Sequence, residues 1–387
     1  MRRVRAGALS HEGSKALSSP SAGSSLAAYG WGTALENEFT SYRAAGLVPG
    51  RVAAVDRGLC DVVTESGPQR ATFGPVTGSV TGSTAGSDDP VAAPCTGDWA
   101  ALRPDGPDGR PAVAALLPRR TAIVRSSASR DSHGQVLAAN VDTVAIAVSL
   151  ETRLDLGRVE RLLALAWESG ARPVVVLTKS DRDDDTASAL ERVAAVAPGV
   201  DVVACSASTG DGVDVVRAVL TGTVVLLGPS GAGKSTLGNA LLGAEALATD
   251  AVRDRDGKGR HTTVRRELLP LPGGGVLIDT PGLRGVGLVE ASAGLERTFA
   301  DIEDLAAGCR FGDCAHRAEP GCAVLAAVED GVLPRRRLDS YHKLLRENEW
   351  AAARTDARLR AERNNRWKVV MREQRRRYQE RDRGRGR

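Results

Sequence analysis

Aromatic residues are scarce, 3% of 387 residues, against heavy use of Ala, Val, Gly and Arg. The imbalance reflects coding bias and carries no functional weight. Long apolar runs are missing too, the longest being short pieces such as "PVVVLT" and "TVVLLG". A membrane span needs roughly 18 such residues, so a transmembrane helix is excluded and a soluble protein is expected. The first 25 residues contain Arg and Ser but no apolar segment of the kind a secretory signal requires. Residues 1–35 are therefore expected to form a basic disordered arm. Cysteines number six: Cys60, Cys95 and Cys205 are scattered, while Cys309, Cys314 and Cys322 cluster beside His316. This favours a reducing, cytoplasmic compartment and a metal site over a disulfide framework.

What is present suffices for two or three domains, since 42% of the residues are hydrophobic. The formal charge of +4 is unevenly placed. Residues 363–387 hold eleven Lys/Arg against Glu373, Glu380 and Asp382, a local +8, which leaves about −4 for the rest. From about 36 to 103 the chain reads as short strands with turns, "GLVPGRVAAV", "LCDVVTE", "QRATFG" and "VAAPCTGDWAAL", interrupted by a Gly/Ser/Thr-rich loop. This pattern suits a small β-barrel. "PDGPDGRP" at 104–111 then serves as a hairpin turn or linker. From Val141, strands alternate with amphipathic helices, the pattern of a parallel sheet covered on both faces. Beyond Glu296 the chain reads as helical, passes through the Cys/His cluster, and ends in a charged helix from about Pro334 into the 370s.

Gly228, Gly233, Lys234 and Ser235 in "GPSGAGKST" match G-x-x-x-x-G-K-[ST], with an apolar strand before them and a helix after. In such a loop, the backbone N–H groups of Gly228, Pro229's neighbours, Ser230, Gly231, Ala232 and Gly233 wrap phosphates. Lys234 reaches the β/γ-phosphates, Ser235 ligates Mg²⁺, and Thr236 continues the helix N-terminus. A plain Gly-rich turn is the alternative. "VLIDTPG" at 276–282 puts Asp279 at a strand end, where it would hold the Mg²⁺ shell, and Gly282 where its N–H would meet a γ-phosphate. Between these segments, "RDGKGRHTTVRRE" reads as a mobile loop in which Thr262 or Thr263 would ligate Mg²⁺ and act as a switch. Leu283 follows "DTPG" where Ras-like enzymes place a water-orienting Gln, so intrinsic hydrolysis is expected to be slow. His261 is the candidate for orienting water; a structural loop histidine is the other reading.

"LTKSD" at 177–181 has the form of a guanine reader. Asp181 would accept from guanine N1–H and N2–H₂ with the Lys179 stem along the base, Thr178 and Ser180 completing the loop. "CSAST" follows a later strand, and Ser206 and Ala207 there would close over O6. Both segments precede the phosphate loop, so the site is expected in permuted order. Relinking a parallel sheet leaves its binding groups at the same strand ends. Cys309, Cys314, His316 and Cys322 form C-x₄-C-x-H-x₅-C, a set suited to a closed tetrahedral Zn²⁺ site of the structural type. A disulfide plus a chance histidine is the alternative.

With these segments together, from "GDW" at 97–99 and "ANVDTV" at 139–144 through "TKSD", "CSA", "GPSGAGKST", "GRHTT" and "DTPG" to "CRFGDCAHRAEPGCAV", the chain resembles the RsgA (YjeQ) family. These are circularly permuted GTPases of bacterial small-subunit assembly. The resemblance implies an N-terminal OB-fold (36–118), a central permuted α/β P-loop GTPase domain (119–295), and a C-terminal helical zinc-binding domain with a basic tail (296–387). It also implies ribosome-stimulated hydrolysis of GTP to GDP, one structural zinc, Mg²⁺ with GTP, and the 30S subunit and its rRNA as partners of a monomer that binds no membrane. One departure is Thr178, where the family usually carries Asn. Thr keeps a hydroxyl that can tie the loop to its neighbours but lacks the amide. Two rival classes are a P-loop ATPase or kinase, which would prefer ATP, and a zinc-containing RNA-binding protein whose nucleotide site is degenerate.

Overall fold

Five strands, β1 (Val48–Val55), β2 (Leu59–Thr64), β3 (Gly67–Thr72), β4 (Trp99–Arg103) and β5 (Ala112–Leu116), close on themselves in the order β1-β2-β3-β5-β4. The order and size are those of an OB-fold. The computed structural model describes residues 26–73, 93–106, 109–125, 135–247, 266–279 and 291–355. Alternate side chains fill the barrel, among them Val52, Val62, Ala71, Leu102 and Val113, as the period of two requires. The turn expected at 104–111 joins the antiparallel partners β4 and β5.

Of the arm expected at 1–35, residues 26–35 are ordered, and residues 1–25 lie outside the described residues. Leu26–Tyr29 forms a 3₁₀ turn and Thr33–Ala44 a helix, α1. Leu26, Tyr29, Leu35 and Phe39 are buried, and Trp31 meets Phe39 and Trp99 edge-on at 5.5 and 5.0 Å. Several of the few aromatic rings gather here, and their burial outweighs the cost of ordering this segment.

A short hairpin, β6 (Ala122–Arg125) with β7 (Gln135–Ala139), leads into a six-stranded sheet. Its strands are β8 (Thr143–Ser149), β9 (Arg172–Thr178), β10 (Asp201–Cys205), β11 (Thr223–Leu227), β12 (Glu267–Pro270) and β13 (Val276–Asp279), in spatial order β10-β9-β8-β11-β13-β12. All pair in parallel except the edge strand β12. Near-continuous Val/Ile/Leu runs suit strands covered on both faces. Helices α2 (Leu156–Glu168) and α3 (Thr186–Ala194) pack with the barrel on one face, and α4 (Val213–Val219) and α5 (Lys234–Leu242) on the other. Strand order reverses between β8 and β11, where a parallel sheet opens its ligand crevice.

Barrel and sheet are joined by buried polar groups from "GDW" and "ANVD". Asp98 is fully buried and accepts from Arg119 Nε and Nη2, each at 2.7 Å. Asn140 donates to Gly97 O at 3.1 Å. Arg51, on β1, crosses the seam, donating to Tyr29 O at 3.0 Å and to Thr223 Oγ1 at 3.1 Å while lying 4.5 Å over the Trp99 ring. Burial pulls its guanidinium down to about 10, with Asp142 and Asp98 opposing.

The C-terminal part is helical: α6 (Ser292–Thr298), α7 (Ala300–Ala306), α8 (Ala323–Glu329) and α9 (Arg335–Thr355). The helix expected to continue into the 370s is described to Thr355; the basic tail beyond lies outside the described residues. α6 crosses α2 so closely that a Cβ on Gly294 would sit 2.0 Å from Ala164 O. Arg337, on α9, is 1% exposed and spends all five N–H donors on Asp301 Oδ1 and Oδ2, Glu160 Oε1, Val196 O and Thr298 O. Glu160 belongs to α2, so this cluster fastens the C-terminal module to the sheet domain. No described helix is long and apolar enough to cross a membrane.

Candidate functional site

The four segments singled out in the sequence all end at the carboxyl edge of the sheet. "TKSD" follows β9, "CSAST" ends β10, the glycine-rich loop follows β11, and Asp279 ends β13. Parallel strands bring these ends together whatever the order in which the chain visits them.

The glycine-rich loop is shaped by its backbone. Gly228, Gly231 and Gly233 have φ of 148°, 78° and 76°. A Cβ on Gly228 would lie 2.5 Å from Ala147 O, so only glycine fits there. Gly233 caps α5, whose first residues are Lys234, Ser235 and Thr236. Lys234 Nζ donates to Gly228 O at 2.8 Å and Pro229 O at 2.6 Å, folding its side chain back across the loop. Ser230 and Gly231 are exposed while Ala232 is buried. The loop thus turns its middle outward at the sheet's switch point. Its glycine backbone, the helix start and the lysine form a donor set that fits a nucleotide phosphate chain.

The "TKSD" segment touches this loop directly. Thr178 is 3% exposed, and its hydroxyl donates to Ala232 O at 2.8 Å, with Val148 O at 3.3 Å. The first bond spans 54 residues of chain. Lys179 takes the left-handed conformation, φ 60°, and its ammonium pairs with Glu151, a residue the sequence reading missed because nothing in "SLETR" marks it. Ser180 opens a short 3₁₀ turn, Ser180–Arg182. Asp181 is exposed, and a hydrogen bond from Ser206 above all holds its carboxyl below the ordinary range. Ser206 is fully buried; its hydroxyl lies 2.9 Å from that of Ser208 and accepts from Thr209 N–H at 3.3 Å, with Ala207 half-buried beside it. So Thr178, Lys179 and Asp181 converge with Ser206 and the glycine-rich loop. Asp279, half-buried, ends β13 opposite Glu267 of β12. His261, Thr262, Thr263, Gly282 and Leu283 lie outside the described residues.

A separate centre stands in the C-terminal module. The ligand atoms of Cys309, Cys314, His316 and Cys322 lie within 4.8 Å of one another. Cys309 Sγ is 3.8 Å from Cys322 Sγ, and His316 Nδ1 is 3.6 and 3.5 Å from these two sulfurs. All the cysteines are free, which removes the disulfide alternative. His316 adopts φ 55° to turn inward, and Glu319 closes the loop by accepting from the N–H groups of Ala315, Arg317 and Ala318. This Cys₃His set can hold a metal. By contrast Cys60, Cys95 and Cys205 are buried, which pushes their thiols up to about 12, 12 and 11 and leaves them inert.

Comparison with known proteins follows the same outline. The family model described as RsgA GTPase matches residues 116–289. A "Small ribosomal subunit biogenesis GTPase RsgA" of Streptomyces avermitilis is 59% identical over 347 residues, covering 89% of this chain and 91% of that protein. "Small ribosomal subunit biogenesis GTPase RsgA 2" of Lactiplantibacillus plantarum is 43% identical over 324 residues, 83% of this chain and 89% of the relative. Among solved structures, YjeQ from Thermotoga maritima superposes with a TM-score of 0.57 at 25% identity, over 78% of this chain and 98% of that one. YloQ, described as a circularly permuted GTPase, gives 0.55 at 22% identity, over 78% and 95%.

Proposed function

The chain belongs to the RsgA GTPase family, and from that premise we propose that it hydrolyses GTP at the carboxyl edge of its permuted sheet while acting in small-ribosomal-subunit assembly in the cytoplasm. One observation carries the site reading: the Thr178 hydroxyl bonded to Ala232 O. It ties the strand end suited to a guanine base to the loop suited to phosphates. One nucleotide would then be held at both ends.

In this reading Asp181 accepts from the guanine N1–H and N2–H₂, an edge adenine lacks. Lys179 lies along the base, Ser180 supports the turn, and Ser206 and Ala207 close over O6. Residues Gly228 to Gly233 direct backbone N–H groups at the phosphates. Lys234 leaves the loop carbonyls for the β/γ-phosphates, and Ser235 and Asp279 would hold Mg²⁺, whose charge offsets that of the transferred phosphoryl group. Thr262 or Thr263 joins that shell, Gly282 meets the γ-phosphate, and His261 orients the attacking water. The support for these last four residues is the sequence pattern alone.

The metal in the C-terminal module is read as structural zinc. Tetrahedral zinc, with Zn–S near 2.3 Å and Zn–N near 2.05 Å, sets S···S edges of about 3.8 Å and S···N edges of about 3.6 Å. The spacings among Cys309, His316 and Cys322 match both edges, with Cys314 completing the set within 4.8 Å. Three thiolates and an imidazole leave no open position for a substrate. The OB-fold barrel and the basic tail are read as faces for small-subunit rRNA, met by a monomer.

The test is nucleotide competition with Asp181→Asn. Loss of the charged bidentate acceptor should weaken GTP binding by about 3 kcal/mol, roughly 100-fold, while ATP binding is unmoved. If wild type prefers ATP, or the variant keeps full GTP preference, the site reading fails. GTP turnover that does not rise on adding purified small subunits would remove the assembly reading.

A further inference from the structure

A cluster of arginines lies at the junction between the sheet domain and the C-terminal module. A cavity of about 550 Å³ opens there, lined by Arg153, Leu154, Asp155, Leu156, Gly157, Arg192 and Arg336. Its three guanidinium groups come from three places: the loop after β8, helix α3, and the start of α9. All three residues are exposed. Among the described residues, the side chains of Arg153 and Arg192 form no ion pair or hydrogen bond. Arg336 is shared with Glu160 at 3.1 Å, and Glu160 is already engaged by Arg337. The one carboxylate in the lining, Asp155, is spent locally. It accepts from Arg158 N–H at 3.1 Å and lies 3.9 Å from Arg158 Nε. It therefore caps α2 and leaves the cavity with a net positive lining.

We propose that this cavity binds the phosphodiester backbone of RNA, and the proposal rests on the RNA-facing reading of the protein given above. Converging like charges repel unless an anion sits among them. The guanidinium fork matches two phosphate oxygens at once. The lining carries no aromatic ring to stack a base and no Asn or Gln to read one, so the contact is with the backbone and independent of sequence. Because two of the arginines belong to the sheet domain and the third to the C-terminal module, a bound strand would bridge the two.

The experiment compares wild type with Arg153→Ala/Arg192→Ala, leaving Arg336 in place because it touches the buried Glu160. Affinity is measured for purified small subunits and, in parallel, for protein-free small-subunit RNA, between 50 and 200 mM salt. Each lost phosphate contact removes about 0.7–0.9 from the salt slope. The double variant should therefore bind both probes more weakly, with its deficit shrinking about tenfold across that fourfold range of salt. GTP affinity and thermal midpoint should stay at wild-type values. Equal affinity and equal slope for wild type and variant would overturn the proposal and leave the general RNA reading intact. A deficit seen with subunits but not with protein-free RNA would also overturn it, in favour of an acidic protein partner. If wild type binds no RNA, the underlying reading falls and the proposal falls with it.

Discussion

Replacing Arg337 by methionine should detach the C-terminal module from the sheet domain. The side chain is 1% exposed and lies over the Phe299 ring at 4.4 Å, with its five donors meeting five acceptor contacts. Methionine fills much of the space but leaves Glu160, fully buried on α2, with only the half-exposed Arg336 as partner. Removing one member of a buried ion pair costs about 3–5 kcal/mol, because the remaining charge stays in a poorly polarisable site. Asp301 is about a third exposed and can turn to water, so the cost falls mainly on Glu160. For a chain of 387 residues the loss corresponds to a thermal midpoint lower by about 4–6 °C. Glu160→Met combined with Arg337→Met should regain at least half of it, since no buried charge is left alone. The assay is thermal unfolding followed by circular dichroism, with limited proteolysis reporting release of α9. A shift under about 1 °C, the size typical of an exposed pair in a chain this long, would refute the reasoning. So would a double variant no better than the single.

Thr178→Val removes the hydroxyl on Ala232 O without changing volume much; losing about 1 kcal/mol should weaken GTP roughly fivefold in a fluorescent-nucleotide titration. Thr178→Asn should bind at least as tightly as wild type, and Thr178→Val at full affinity would show the bond to be idle. Cys322→Ser should abolish one bound metal per chain, measured by elemental analysis, and reduce the helicity of α8 and α9 while guanine-nucleotide binding persists. Glu319 is held at about 2 by the N–H groups of Arg317 and Ala318. With its folded value below the ordinary value near 4.3, its contribution is complete above about pH 4.3 and disappears as pH falls toward 2. Protection factors of the Arg317 and Ala318 amides, taken against the intrinsic rate at each pH, should fall over that window in wild type and show no such step in Glu319→Gln.

Much of the fold was legible in the sequence. Period-two strands and the strand–helix alternation from Val141 are local signals that appear as elements in place, and the Pro/Gly stretch at 104–111 falls between the antiparallel β4 and β5. The site was legible for a related reason. "GPSGAGKST" has glycines where the loop backbone takes positive φ, and the spacing of C-x₄-C-x-H-x₅-C lets four ligand atoms come within 4.8 Å of one another. The early position of "TKSD" was informative because strand ends, and not chain order, build a parallel-sheet site. Harder to see were residues 26–35, where the expected arm is an ordered turn and helix. Leu26, Tyr29 and Trp31 look like isolated apolar residues until the barrel supplies a surface to bury them.

The sequence by itself determined which elements form and which short segments carry chemistry, because backbone conformation, periodicity and ligand spacing act over a few residues. Only the tertiary structure decided which charges are buried. Arg51, Glu160 and Arg337 read in the sequence as ordinary surface charges. Each is held in the interior by partners 22 to 177 residues away, although Arg51 Nε and Glu160 Oε2 keep no hydrogen bond there. It was also the fold that joined Thr178 to Ala232, since a hydrogen bond across 54 residues depends on two strand ends meeting.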